Sequence, residues 1–271
     1  MAGSSRATIG IFDSGVGGVS VLRELRTLLD GQRLVYIADS AHVPYGTKPH
    51  VFIQARSTAL SKLLINEYGA AVVLVACNTA TTHAVDHLRE RFPSVPFVGM
   101  EPGIKPAAAA TRSGVVGVLA TSATLAGGRF ASLVQRTAEG VEVLTQACAG
   151  LVEQVEAGDL DGPATRAILD QCLAPMLSRG ADTIVLGCTH YPFLRPTIQA
   201  MVGPDVTLID TAGAVARQTI RMLHASGGET HGTPGTHGPV RFLTSGQPEV
   251  VRVVLERLWG EPVPEVGRIA P

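Results

Sequence analysis

The sequence predicts an α/β protein made of two similar parallel-sheet halves with a cleft between them, and three observations carry that expectation. Short apolar runs alternate with longer stretches of helical periodicity, the pattern of a parallel sheet covered by helices. The runs are continuously apolar instead of alternating, as strands buried on both faces require. Two motifs also recur in the same order. Ile9-Gly10-Ile11-Phe12-Asp13-Ser14 resembles Val116-Gly117-Val118-Leu119-Ala120-Thr121 at an offset of 107, and AVVLVACNTAT at 71–81 resembles DTIVLGCTHYP at 182–192, their cysteines 111 apart. Apolar strands also resemble one another by chance, and the repeat alone leaves that alternative open.

In chain order, strands are expected at 8–12, 34–38, 71–77, 95–99, 115–120, 141–145, 183–187 and 206–209, each an apolar run rich in β-formers. Between them, Phe52, Ala55, Ala59, Leu60, Leu63 and Leu64 recur at helical spacing over 52–67. Ala216, Ile220 and Leu223 do the same, as do Val250, Val254 and Leu258. Asn78-Thr79-Ala80 and Tyr191-Pro192-Phe193 read as helix starts, with Pro192 at a favoured first-turn position. Segment 227–239, dense in Gly, Thr and Pro and without periodicity, reads as a surface loop.

With 45% hydrophobic and 17% charged residues in 271, the chain holds apolar material for one large domain or two small ones. A net charge of −1 gives no electrostatic case for nucleic acid or a membrane surface. Cys77, Cys148, Cys172 and Cys188 are too few in a chain this long for a disulfide framework. Neither a signal-like amino terminus nor an apolar run approaching a membrane span is found. A cytoplasmic protein with free thiols is the expectation.

Cys77 and Cys188 each end an apolar strand and are each followed by small polar residues. In open α/β sheets, ligands bind beyond the carboxyl ends of the strands. Two facing halves would therefore place Asp13, Ser14 and Cys77 on one wall of a cleft and Thr121, Cys188, Thr189 and His190 on the other. Only a few per cent of a free thiol ionises at neutral pH, but a helix amino terminus pointing at sulfur favours the thiolate. Two such thiols suit acid/base work on the two faces of one small molecule. Ser14, Asn78, Thr79 and Thr189 are candidate donors to the negative charge that develops when a proton is abstracted there. Asp13 has two readings, a helix cap or a functional carboxylate, and the second is favoured by its strand-end position. Cys148 and Cys172 read as small buried hydrophobes.

The glycine cluster after Asp13 has neither the dinucleotide-binding fingerprint nor the phosphate-loop spacing with its lysine. Cys188 and His190 are soft-metal ligands, yet no paired ligand motif accompanies them, so no metal is expected. Of the three lysines, Lys62 and Lys105 sit in contexts unlike a Schiff-base residue, which leaves Lys48 and a pyridoxal enzyme as the minor reading.

Five blocks, DSGVGGVSVLREL (13–25), YIADSAHVPYGTK (36–48), ACNTAT (76–81), EPG (101–103) and LGCTHYPFL (186–194), resemble the signature blocks of the bacterial glutamate racemase family, in the family's order. The resemblance spans roughly residues 8–213. It implies two α/β domains with pseudo-two-fold symmetry, the first formed by 1–98 with 210–271 and the second by 99–209, and an active site in the cleft between them. It further implies cofactor-independent interconversion of L- and D-glutamate by two cysteine bases, with the D-isomer feeding peptidoglycan synthesis, and a homodimer as a candidate assembly. Carried to this sequence, the catalytic thiols are Cys77 and Cys188, assisted by Asp13 and His190, with Glu153 as a supporting carboxylate. Substrate contacts fall at Asp13, Ser14, Tyr45, Gly46, Asn78, Thr79, Thr121, Thr189 and His190. His42 stands where the family pattern has an arginine and Ala38 where it has a glycine.

Overall fold

The apolar runs form the strands of two parallel sheets. The computed structural model describes residues 7–29, 31–228 and 238–270, so most of the loop expected at 227–239 lies outside the described residues. The first half contains β1 (Thr8–Asp13), α1 (Val19–Leu28), β2 (Arg33–Ala38), α2 (His50–Asn66), β3 (Ala70–Val75), α3 (Asn78–Arg91) and β4 (Phe97–Gly99). Then come α4 (Ile104–Ala110), β5 (Val115–Ala120), α5 (Ser122–Ala126), α6 (Gly128–Thr137), β6 (Glu142–Ala147), α7 (Leu151–Glu156), α8 (Pro163–Leu177), β7 (Thr183–Leu186), α9 (Arg195–Val202) and β8 (Thr207–Ile209). The chain returns through α10 (Ala212–Ala225), β9 (Val240–Thr244), α11 (Pro248–Trp259) and β10 (Val266–Arg268).

The first sheet runs β10-β9-β2-β1-β3-β4 and the second β6-β5-β7-β8. The order β2-β1-β3-β4 is thus repeated by β6-β5-β7-β8, and the repetition extends past the strand ends. Ala76 N donates to Phe12 O and Gly187 N to Leu119 O, each at 2.8 Å and each one residue before a cysteine. Asp39 N donates to Asp13 O as Cys148 N does to Ala120 O. The two thiols are therefore delivered by equivalent turns.

Strand alternation decides which layer each side chain joins. Ile9 and Ile11 of β1 pack with Leu22 and Leu25 of α1 and Leu223 of α10, while Phe12 packs with Ile53, Leu60 and Leu64 of α2 on the opposite face. The core containing Ile9 and Ile11 continues into the second half through Leu119, Leu169, Leu173, Ile184 and Leu186. Val116, Val118 and Val185 pack with Ile104 and Phe130 on the other face of the second sheet. At Gly10 an added Cβ would lie 2.9 Å from Ala70 Cβ and 3.1 Å from Leu64 Cβ; at the equivalent Gly117 it would meet Ile184 Cδ1 at 2.5 Å. Both glycines let neighbouring side chains pass close to a central strand.

Two strands were not expected from the sequence. β9 adds to the first sheet by pairing with β2, and the three-residue β10 pairs with β9. The helix expected to begin at Tyr191 is instead a 3₁₀ turn over Tyr191–Leu194, and the α-helix begins only at Arg195. Among the described residues no helix is long and apolar enough to cross a membrane.

Leu22 is fully buried between the first sheet and α10. Leu22→Ala is expected to cost about 3 kcal/mol through lost transfer energy and an unfilled cavity. Urea unfolding should show a lower midpoint with an unchanged slope.

Candidate active site

Cys77 is the N-cap residue of α3, and its sulfur accepts from Ala80 N at 3.5 Å. Its other partner is Ser14 Oγ, at 3.6 Å. Ser14 in turn donates to Asp13 Oδ1 through its hydroxyl at 3.2 Å and its backbone N–H at 2.7 Å. Asp13 Oδ2 accepts from Gly18 N at 2.7 Å and from Thr189 Oγ1 at 3.3 Å. Asp13 is not the N-cap of α1, which is Gly18, but it ties down the glycine loop ahead of that helix and holds Ser14, which meets Cys77.

Across the interior, Cys188 Sγ lies 3.7 Å from His190 Nδ1, and His190 Nε2 lies 2.6 Å from Glu156 Oε1. The same carboxylate oxygen accepts from Val16 N at 2.7 Å. Glu156, on the last turn of α7, is the carboxylate that meets His190. Glu153, expected in a supporting role, is exposed one turn earlier. Three residues along a helix separate these two carboxylates, and only the packing of α7 against His190 decides between them. Sequence reasoning missed Glu156; its one signal was a second glutamate in LVEQVE.

The glycine cluster gains its explanation here. A side chain at Gly15 would overlap the Glu156 carboxylate, and one at Gly17 would overlap the His190 ring. The loop is bare, and the His190–Glu156 pair packs directly against it.

Thr79, Thr121 and Thr124 join the halves by a triangle of hydroxyls, with Thr79–Thr121 and Thr121–Thr124 at 2.9 Å and Thr79–Thr124 at 3.3 Å. Gly46 abuts Thr121, leaving no room for a Cβ. Asn78 Nδ2 donates to Met100 O, while its buried Oδ1 has no hydrogen-bond partner in the structure. Tyr45 is buried and donates to Asp39 Oδ2 at 2.6 Å. Asp39 also accepts two hydrogen bonds from Arg56, at 2.6 and 3.1 Å, and lies 3.1 Å from His42 Nδ1. The structure thus gathers Asp13, Ser14, Cys77, Cys188, Thr189 and His190 into one linked network. It places Asn78, Thr79, Thr121, Tyr45 and Gly46 in an adjoining set of contacts. Arg56 and Asp39 hold the Tyr45 loop and were not anticipated.

Electrostatics act strongly on Cys77, His190 and Asp13. Burial, then the Asp13 carboxylate, pushes the Cys77 thiol well above its ordinary range, outweighing Ala80 N–H and Ser14. The expectation that the helix amino terminus would favour its thiolate is therefore reversed, because desolvation exceeds the effect of one N–H. Burial alone would lower His190, but hydrogen bonds and charge interactions with Cys188 and Glu156 raise it well above the usual imidazole range. His190 is thus held protonated beside Cys188. Burial also raises Asp13, against the opposing pull of His190. Water is largely excluded, since Cys77 is 5% exposed and Cys188 7%. A cavity of about 580 Å³ lined by Arg89, Glu101 and Arg129 lies elsewhere, beside β4 and α10, and touches neither thiol.

Residues 9–219 match the Asp/Glu/Hydantoin racemase family. A glutamate racemase of Pseudomonas aeruginosa is 52% identical over 263 residues, covering 97% of each chain. Among solved structures, the Thermus thermophilus glutamate racemase in complex with β-chloro-D-alanine has a TM-score of 0.80 at 37% identity, covering 98% of this chain and 97% of that one. The Escherichia coli glutamate racemase in complex with L-glutamate and the activator UDP-MurNAc-ala has a TM-score of 0.82 at 33% identity, covering 98% and 99%.

The Asp39 cluster yields a stability test. Burial would raise Asp39, but its bonds to Arg56, Tyr45 and Ser245 lower it on balance. A carboxylate lowered in the folded state adds stability above its unfolded value, and that contribution is lost as pH falls. Arg56→Met should cost about 3–5 kcal/mol at neutral pH by leaving a buried charge unpaired. The gap from wild type, measured by urea unfolding, should narrow as pH drops below about 4.

Proposed function

We propose that this chain, which belongs to the Asp/Glu/hydantoin racemase family, interconverts L- and D-glutamate by passing the α-proton between Cys77 and Cys188 without a cofactor. The observation that carries this reading is the pairing of equivalent strand-end thiols with different acid/base partners. Cys77 has the Ser14–Asp13 arm and Cys188 the His190–Glu156 arm. A division at 98/99 and 209/210 puts one thiol in each domain. D-glutamate made in the cytoplasm would then supply peptidoglycan synthesis.

In the mechanism proposed, glutamate lies between the two sulfurs. His190, protonated, stabilises a Cys188 thiolate, while Cys77 holds its proton. Cys188 takes the α-proton from one face and Cys77 delivers a proton to the other. The negative charge that develops on the substrate carboxylate is met by donors fixed before the reaction, among them Ser14, Thr79, Thr121 and Thr189. The open acceptor Asn78 Oδ1 suits the substrate ammonium. Tyr45 and Gly46 close the Thr121 side, and exclusion of water keeps these interactions strong.

Purified protein without added cofactor or metal is expected to abolish the circular dichroism of L-glutamate and not of L-aspartate. Cys77→Ser and Cys188→Ser should each lower the rate by about 10³-fold or more, within the range for losing a positioned proton-transfer group. Near-normal activity in both variants would overturn the two-thiol reading. Asp13→Asn and His190→Asn make a second test. Because enantiomers are equally stable, kcat/KM must fall equally in both directions for either variant. The two kcat values should become unequal, and in opposite senses for the two variants.

A further inference from the structure

A two-thiol racemase ends each turnover inverted. The thiol that began as base holds a proton, and the one that began as acid is a thiolate. Another turnover in the same direction requires one proton to leave the first sulfur and one to reach the second. In most of the interior this would call for water, yet both sulfurs are buried.

The geometry points to a route for that return within the protein: a continuous chain of polar atoms joins the two thiols, with Asp13 at its centre and Ser14 and Thr189 as its relay hydroxyls. From Cys188 Sγ the chain runs 3.7 Å to His190 Nδ1, 3.5 Å to Thr189 Oγ1 and 3.3 Å to Asp13 Oδ2. From the other carboxylate oxygen, Asp13 Oδ1, it runs 3.2 Å to Ser14 Oγ and 3.6 Å to Cys77 Sγ. Asp13, Ser14, Thr189 and His190 are all buried. The inference rests on the racemase reading and adds to it a step between turnovers.

The balance closes without solvent. Imidazolium His190 gives its Nδ1 proton to Thr189 Oγ1 and takes the S–H proton of Cys188 in its place, while its Nε2 proton stays on the Glu156 side. Thr189 passes a proton on to Asp13 Oδ2 and receives the one from Nδ1. Asp13, already protonated at Oδ1, releases that proton through the Ser14 hydroxyl to the Cys77 thiolate. One S–H bond breaks and one forms, and each intermediate group keeps its number of protons. The Asp13 proton ends on Oδ2 and must return to Oδ1 before the next passage in the same direction. Run backwards, the chain resets the enzyme for the opposite direction. Glu156 fits a holding role, since its grip on Nε2 keeps Nδ1 as the single nitrogen that meets both Cys188 and Thr189. The raised carboxyl of Asp13 suits a group that carries a proton part of the time.

Thr189 is the one atom bridge between the two arms, and Thr189→Val removes its hydroxyl at nearly constant shape. The test is the net rate of racemisation as total glutamate is raised far beyond saturation. When return of the free enzyme is slow, accumulated product recaptures the inverted form and drives it backwards, so the net rate falls. Wild type should hold a plateau. Thr189→Val should slow return by about 10²-fold, the low end for loss of a positioned proton-transfer group, and show the fall. Thr189→Ser should restore the plateau. Ser14→Ala, which cuts the other arm, should behave like Thr189→Val and gives an independent variant if that one folds poorly. A merely structural or substrate-binding role would change kcat or KM while leaving the plateau. A plateau in both Thr189→Val and Ser14→Ala would overturn the proposal, as would a fall in wild type relieved by added imidazole buffer, which would route return through solvent. Absence of any racemisation by wild type would instead remove the racemase reading itself.

Discussion

One oxygen, Glu156 Oε1, holds the two halves in working contact. It accepts from Val16 N in the glycine loop of the first half and pairs with His190 of the second. Nearly everything else about the site depends on that approach. It presses the loop against the imidazole, which leaves no room for side chains at Gly15 and Gly17. It brings Thr189 within reach of Asp13, and Ser20 Oγ within 3.0 Å of the Thr189 carbonyl. Glu156 is partly buried, and its pairing with His190 and Val16 N offsets the hydration it loses.

The repeated strand order makes the site look symmetric, and the chemistry breaks that symmetry. Equivalent turns place Cys77 and Cys188, but an α-helix begins directly after Cys77 and a 3₁₀ turn after Cys188. The first sulfur meets a helix N–H and a serine. The second meets a histidine that the 3₁₀ geometry leaves beside it. The two sulfurs therefore sit in chemically different surroundings, as the proposed division into proton donor and proton acceptor requires.

Much of this was legible in the sequence because it is local. Apolar runs and their offset repeat place the strands, and the residues after each cysteine mark the strand ends. What the sequence hid is decided by tertiary packing. β9 pairs with β2 and the three-residue β10 with β9, so both are fixed by partners that are not their neighbours in an apolar run of sequence. Glu153 and Glu156 are alike in any window of sequence, and the direction in which α7 docks separates them. The ionisation of Cys77 was misjudged because a helix start is visible in sequence, whereas complete burial beside Asp13 is not. Arg56 gave no local signal, since its role is to neutralise a carboxylate 17 residues away in the chain.

Charge balance connects these points. If Asp13, Glu156 and one thiol were all ionised, His190 would be the only cation set against three anions among the linked groups, in an interior that screens poorly. Adding glutamate would deepen the imbalance. Burial raises both Asp13 and Cys77, so each favours its protonated, uncharged form and the number of anions facing one another in the interior falls. In the racemisation proposed, the two directions differ only in which thiol holds the proton, and neighbours that favour their neutral forms suit a site that must also admit an anionic substrate.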